Sequence, residues 1–150
     1  MKLEDELKQS KPFENEFQKL MLNINVTSSW LNVLLSDMLK PYGITAAQFN
    51  VLRILKGRYP KSYCNQEITE RMIDKNSNAT RIVDKLIVKG LVKRCEKASD
   101  RRAVEITITE KGFELTAQID VTSLTNHTNI KTFNIENARK MNEWLDELRG

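Results

Sequence analysis

Asn78, Arg81 and Lys85 stand at i, i+3 and i+7, a spacing that gathers three side chains on one side of a helix. Ser77, Thr80 and Asp84 flank them. An amide and a guanidinium can each pair in two places with a base edge, Asn with adenine and Arg with guanine. Further on, Arg101 and Arg102 sit side by side in the polar run Lys97–Ala103. Paired guanidiniums on a short tip suit a minor groove, whose negative potential draws them in. The chemistry on offer is recognition of a polyanion.

Other chemistries lack their parts. There is one histidine, His127, in a polar stretch that reads as surface, and there are two cysteines, Cys64 and Cys95. A zinc site would have to lean on carboxylates, so no metal is expected. No nucleophile–base pair or phosphate-cradling loop stands out, so neither an enzyme nor a cofactor is expected. Two cysteines are too few for a disulfide scaffold, and the default is a reduced cytoplasm. No apolar run approaches the roughly 20 residues of a membrane span. The start, MKLEDELKQSKPFENE, has no apolar stretch of the kind a secretory signal needs.

Charge is uneven along the 150 residues. Arg53 to Arg102 holds fourteen Lys/Arg against six Asp/Glu, a surplus of +8, whereas the rest holds ten against fourteen, or −4. A basic middle between acidic ends is the footprint of a phosphate-binding surface. A lysine-rich solvated surface is the bland alternative.

Several elements must position these groups. Phe13, Phe17, Leu20, Met21 and Ile24 begin an apolar stripe that Leu31, Leu34, Leu35 and Met38 continue. It predicts a helix of about 25 residues that stops before Pro41, with a stripe that needs a partner from outside the subunit. Thr45 and Gln48 form a T-x-x-Q capping box for a second helix, closed by Gly57 and Pro60. A short helix follows over about Asn65–Met72, then the connector Ile73-Asp74-Lys75, then a helix over about Asn76–Lys89 ending at Gly90. Leu91–Glu96 reads as a strand, and Val104, Ile106 and Ile108 alternate with polar residues as a second. Thr109 caps another helix, and Asn134 starts the last, with Ile135, Ala138, Met141, Leu145 and Leu148 on its apolar side and Trp144 beside it. Helix, helix, turn, helix and a basic-tipped hairpin make a winged helix-turn-helix. The expected fold is mainly α with a small β-hairpin wing.

The residues also resemble a known family. Asp100-Arg-Arg-Ala-Val-Glu-Ile-Thr-Ile108-Thr109-Glu-Lys-Gly112 is similar to the wing signature of the MarR family, the multiple antibiotic resistance regulators, with Ile108 where Leu is usual. Ser77-Asn-Ala-Thr80-Arg81-Ile-Val-Asp84-Lys85-Leu86 resembles its recognition helix. Gly90-Leu-Val-Lys-Arg94 resembles the start of its wing, and Tyr42-Gly-Ile-Thr45 with Gln48-Phe49 and Leu52 its first helix junction. Ile73-Asp74 stands where many members have Gly.

The resemblance implies one MarR-like domain, with 1–40 and 110–150 as a helical dimerisation region and 45–109 as the DNA-binding winged helix. It implies a homodimer on double-stranded DNA, a pseudo-palindromic operator and a ligand-responsive repressor. Ser77, Asn78, Thr80 and Arg81 match the groove-facing positions. Arg102 matches the minor-groove arginine, and Asp100 its companion. With Gln66, Asn76, Lys85 and Arg101 these form the expected DNA-binding set. Trp30, Met38 and Phe49 are the expected lining of a site for a small aromatic effector, with core packing as the alternative for each. Cys64 and Cys95 are packing residues unless they sense oxidants, for which Cys64 at a helix start is the better placed. Asp84 is expected to orient its neighbours, and Arg94 to brace the wing strand. The rival function is a winged-helix protein-interaction module without DNA binding.

Overall fold

Asn15 accepts the backbone N–H of Gln18 and opens the long helix α2 (Glu16–Leu39), preceded by a short helix α1 (Leu3–Glu6). The computed structural model describes residues 2–97, 100–119 and 134–150, and of 96–97 and 100–103 it describes the backbone alone. The helix α1 was not expected from the polar N-terminal sequence. It is pinned by Leu3, which is buried, and by Glu4, which pairs with Lys19 of α2 at 2.5 Å. A 3-10 turn (Lys40–Tyr42) begins where Pro41 removes a donor, and Gly43 (φ +65°) reverses the chain.

The Thr45–Gln48 capping box forms in both directions and starts α3 (Ala46–Arg58). Gly57 lies inside this helix rather than ending it. Next come α4 (Asn65–Arg71) and α5 (Ala79–Val88). The antiparallel hairpin pairs β1 (Val92–Lys97) with β2 (Asp100–Ile108), Val92 opposite Ile108 and Cys95 opposite Glu105. The helix α6 (Glu110–Gln118) is capped by Thr109, and α7 (Ile135–Arg149) by Asn134. His127 lies outside the described residues.

The core gathers around α3, which packs on α5, α6 and β2. Leu39, Leu52, Leu55, Ile68, Leu86 and Ile106 are fully buried there. Burial of this kind contributes about 25 cal/mol per Å² of apolar surface, and it holds the helices that carry the polar face. The hairpin gains a third, minimal strand that the sequence did not announce. Tyr63 exchanges two backbone hydrogen bonds with Ile106, at 3.0 and 2.7 Å.

Candidate nucleic-acid interface

The turn before α5 is built by side chains that divert backbone donors. Asp74 accepts the N–H of Asn76 at 3.0 Å and the hydroxyl of Ser77 at 2.7 Å. Those bonds, the Ser77 hydroxyl foremost, hold its carboxyl below the ordinary 3.8. Asn50 of α3 accepts the N–H of Ile73 at 3.0 Å and ties the turn to the core. Asn78 Oδ1 accepts the N–H of Arg81 at 3.0 Å and is the N-cap. The helix therefore starts at Ala79, three residues later than expected, because Asp74 and Asn78 compete for the N–H groups that helix would use.

This places Asn76 and Ser77 in the turn, Asn78 at the cap, Thr80 and Arg81 in the first helical turn, and Lys85 one turn on. Asn76, Asn78, Thr80, Arg81 and Lys85 are exposed, and Ser77 is half-buried. The opposite side of α5 is buried through Ala79, Val83 and Leu86. Asp84 is paired with Arg94 of β1, so the wing strand is braced on the helix as expected. Among the described residues neither Arg81 nor Lys85 has an ion-pair partner, and both cations face solvent uncompensated. Gln66 is exposed on α4, where its amide donates to Glu70 at 3.0 Å.

Part of the basic surplus serves the fold instead. The guanidiniums of Arg58 and Arg71 lie 4.4 and 4.6 Å from the Tyr63 ring centre, within cation–π range. Arg58 also reaches Glu67 at 3.0 Å. The N–H of Cys64, and then Arg58, hold the Glu67 carboxyl below its ordinary value. The sequence does not mark Tyr63 as the hub of this cluster.

The wing differs from the expected loop over 97–103. Strand pairing resumes at Lys97 opposite Asp100, after an irregularity between Glu96 and Lys97, so the backbone of 100–103 belongs to β2. The side chains of Asp100, Arg101 and Arg102 lie outside the described residues. Cys64 adjoins the Tyr63–Ile106 bridge, and Cys95 pairs with Glu105 from the other side of β2. Two interstrand spacings, about 9–10 Å, then separate the cysteines, beyond the roughly 7 Å that a disulfide spans.

The three expected effector residues differ in burial. Phe49 is buried in the core, Met38 packs half-buried against that core, and Trp30 is exposed on α2. A cavity of about 590 Å³ opens between α2 and α7, lined by Leu20, Ile24, Leu31, Met141, Trp144 and Leu148 among others.

Residues 44–104 match the model of the MarR family. The transcriptional repressor MprA of Escherichia coli K12 is 34% identical over 84 residues, 56% of this chain and 48% of that protein. The HTH-type transcriptional repressor MdtR of Bacillus subtilis 168 is 36% identical over 76 residues, 51% of this chain and 48% of that protein. The chain spans about half the length of these curated relatives. Among solved structures, a mutant MarR of E. coli complexed with operator DNA matches with TM-score 0.77 and 25% identity, over 92% of this chain and 99% of that one. The S. aureus MepR–DNA complex, 18% identical, shares the fold with TM-score 0.74 over 91% and 97% of the two chains. A helix-turn-helix braced to its wing, the family match across residues 44–104 and a common fold over nine-tenths of the length make the chain similar to the MarR family through its winged-helix unit.

Proposed function

We propose that the chain is a sequence-specific DNA-binding transcriptional regulator, a ligand-responsive repressor that grips a pseudo-palindromic operator as a homodimer. The observation that carries this reading is the exposed first turn of α5. Thr80 and Arg81 project there beside the Asn78 cap, and Asp84 is drawn away to Arg94. A helix N-terminus with free polar side chains and uncompensated cations suits base edges and phosphates together. The named relatives are repressors, and two of the matched structures are complexes with DNA.

In this reading Arg81, Asn78, Thr80 and Ser77 meet the major groove. Lys85, Gln66 and Asn76 meet the backbone and groove edge, and Arg101 and Arg102 lie along the minor groove with Asp100 orienting them. The exposed apolar sides of α2 and α7 take a second copy. Phe17 is 81% exposed, Ile135 77% and Trp144 65%, too much apolar surface for these helices to serve a lone subunit well. A two-fold dimer sets its reading helices about 34 Å apart, one turn of duplex. A small aromatic effector bound beside these helices would act by favouring another spacing. Such a protein works in the cytoplasm, beside its DNA.

The test uses duplexes selected by the purified chain from a random pool. Arg102→Ala is expected to weaken every selected duplex alike and to lower the salt slope by about 1. Unchanged affinity and slope would remove Arg102 from the interface. Failure of the chain to select any duplex would favour a protein-interaction module.

A further inference from the structure

Lys89 ends the proposed reading helix and reaches across to the turn that joins the long helix to α3. Its ammonium donates to the carbonyl of Gly43 and, at 3.2 Å, to Oε1 of Gln48. Both acceptors are held in place. Gly43 is left-handed (φ +65°) and its N–H is bound to Lys40. Gln48 is 4% exposed and its same oxygen holds the N–H of Thr45 at 3.1 Å. On the other side, Lys111 of α6 donates to the Lys89 carbonyl at 3.0 Å, and Thr109 to that of Gly90 at 2.8 Å. Cations at a helix C-terminus also meet the negative end of its dipole.

From this network we infer that Lys89 is a positioning residue. It fixes the angle between the reading helix and the Gly43 turn and α3 start that follow the long helix of the proposed dimer seam, and so sets which half-site spacing is read. The inference rests on the DNA-binding homodimer proposed above. The lever is long enough to matter. A helix of ten residues is about 15 Å long, so a tilt of roughly 10° about its C-terminal end carries the first turn about 2.6 Å. Hydrogen bonds to base edges tolerate only a few tenths of an ångström. An ammonium on two anchored carbonyl oxygens is a charge-assisted restraint on that tilt. Lys89 sits at the far end of α5 from Asn78 and Arg81, so it acts on the groove contacts through the helix and not by touching DNA.

Spacing discrimination is the readout that separates this role from simple stabilisation or from a phosphate contact. Wild type, Lys89→Met and Lys89→Arg are compared on a duplex selected by the wild type and on the same duplex with one base pair added between its half-sites. The wild type is expected to prefer the selected spacing. Lys89→Met should lose about tenfold of that preference with its salt slope unchanged, and Lys89→Arg should restore most of it. A slope lowered by about 1 with the preference intact would make Lys89 a phosphate ligand and overturn the inference. So would a Lys89→Met protein that discriminates like the wild type. If the wild type selects no duplex, the regulatory reading fails separately. Amide exchange in the free protein then decides on the tether: faster exchange at Gly90 and Leu91 and at Ile44 and Thr45 in Lys89→Met, reversed in Lys89→Arg, supports it, and unchanged exchange refutes it.

Discussion

Asn78 carries two roles that one substitution can separate. Its Oδ1 caps α5, while its exposed side chain keeps the Nδ2 donor that the proposed reading turns to a base edge. Serine also caps well but has no amide. Asn78→Ser should therefore leave thermal stability within about 0.5 kcal/mol yet cost about 1–3 kcal/mol of binding at one operator position. Denaturant unfolding and a panel of single-base operator variants measure the two halves. A uniform loss across the panel would assign Asn78 to the backbone and not to a base. Sequence spacing had put Asn78, Arg81 and Lys85 on one side of a helix, and the polar face survives in the structure. The cap itself was not legible. Asp74 and Asn78 each offer a local acceptor to nearby N–H groups, and periodicity is blind to that competition. Lys89 was equally silent, since its acceptor at Gly43 lies 46 residues away and nothing local advertises it.

At the scale of elements, the contact between wing and α6 depends on one missing side chain. A Cβ at Gly112 would stand 2.1 Å from the Leu91 carbonyl oxygen and 2.9 Å from Ile108. The first of these is backbone and cannot swing aside. Gly112→Ala should cost about 3 kcal/mol, the upper end of ordinary overpacking. Gly57 is the opposite case, since it lies within α3 with nothing within 4 Å of its would-be Cβ. Gly57→Ala should stabilise by about 0.5–1 kcal/mol. Denaturant midpoints test both, and equal effects of the two substitutions would mean that α6 does not approach the wing as described. Gly112 was visible in the sequence as a motif position. Its reason, helix backbone packed on the Leu91 backbone just before β1, emerges only in three dimensions. The hairpin itself was legible from the alternation of Val104, Ile106 and Ile108. Its true length was not, because Asp100–Ala103 is too polar to read as strand. The third strand at Tyr63 is a single bridge, too short for any pattern.

For the whole molecule, the proposed dimer rests on the exposed apolar sides of α2 and α7. The stripe from Phe17 to Leu31 was readable from its helical period. How the two helices flank a cavity of about 590 Å³ was not, since Leu31 and Met141, which both line it, stand 110 positions apart in the sequence. Removing Asn134–Gly150 takes away Met141, Trp144 and Leu148, which are exposed in the single chain. The shortened protein should be a monomer by light scattering and should bind selected duplexes at least tenfold more weakly, because two linked half-site contacts become one. A stable dimer after that deletion would move the seam elsewhere.

Equilibrium binding of the full chain to its selected duplex, titrated from about 50 to 200 mM salt, tests the central claim most directly. A reading head with uncompensated Arg81 and Lys85 and a basic wing, present twice, predicts log affinity falling linearly with log salt. The slope should be several units negative, about −0.9 for each phosphate neutralised, with protection of two major-groove faces about 10 base pairs apart. Affinity indifferent to salt, or no binding at the lowest ionic strength, would contradict it.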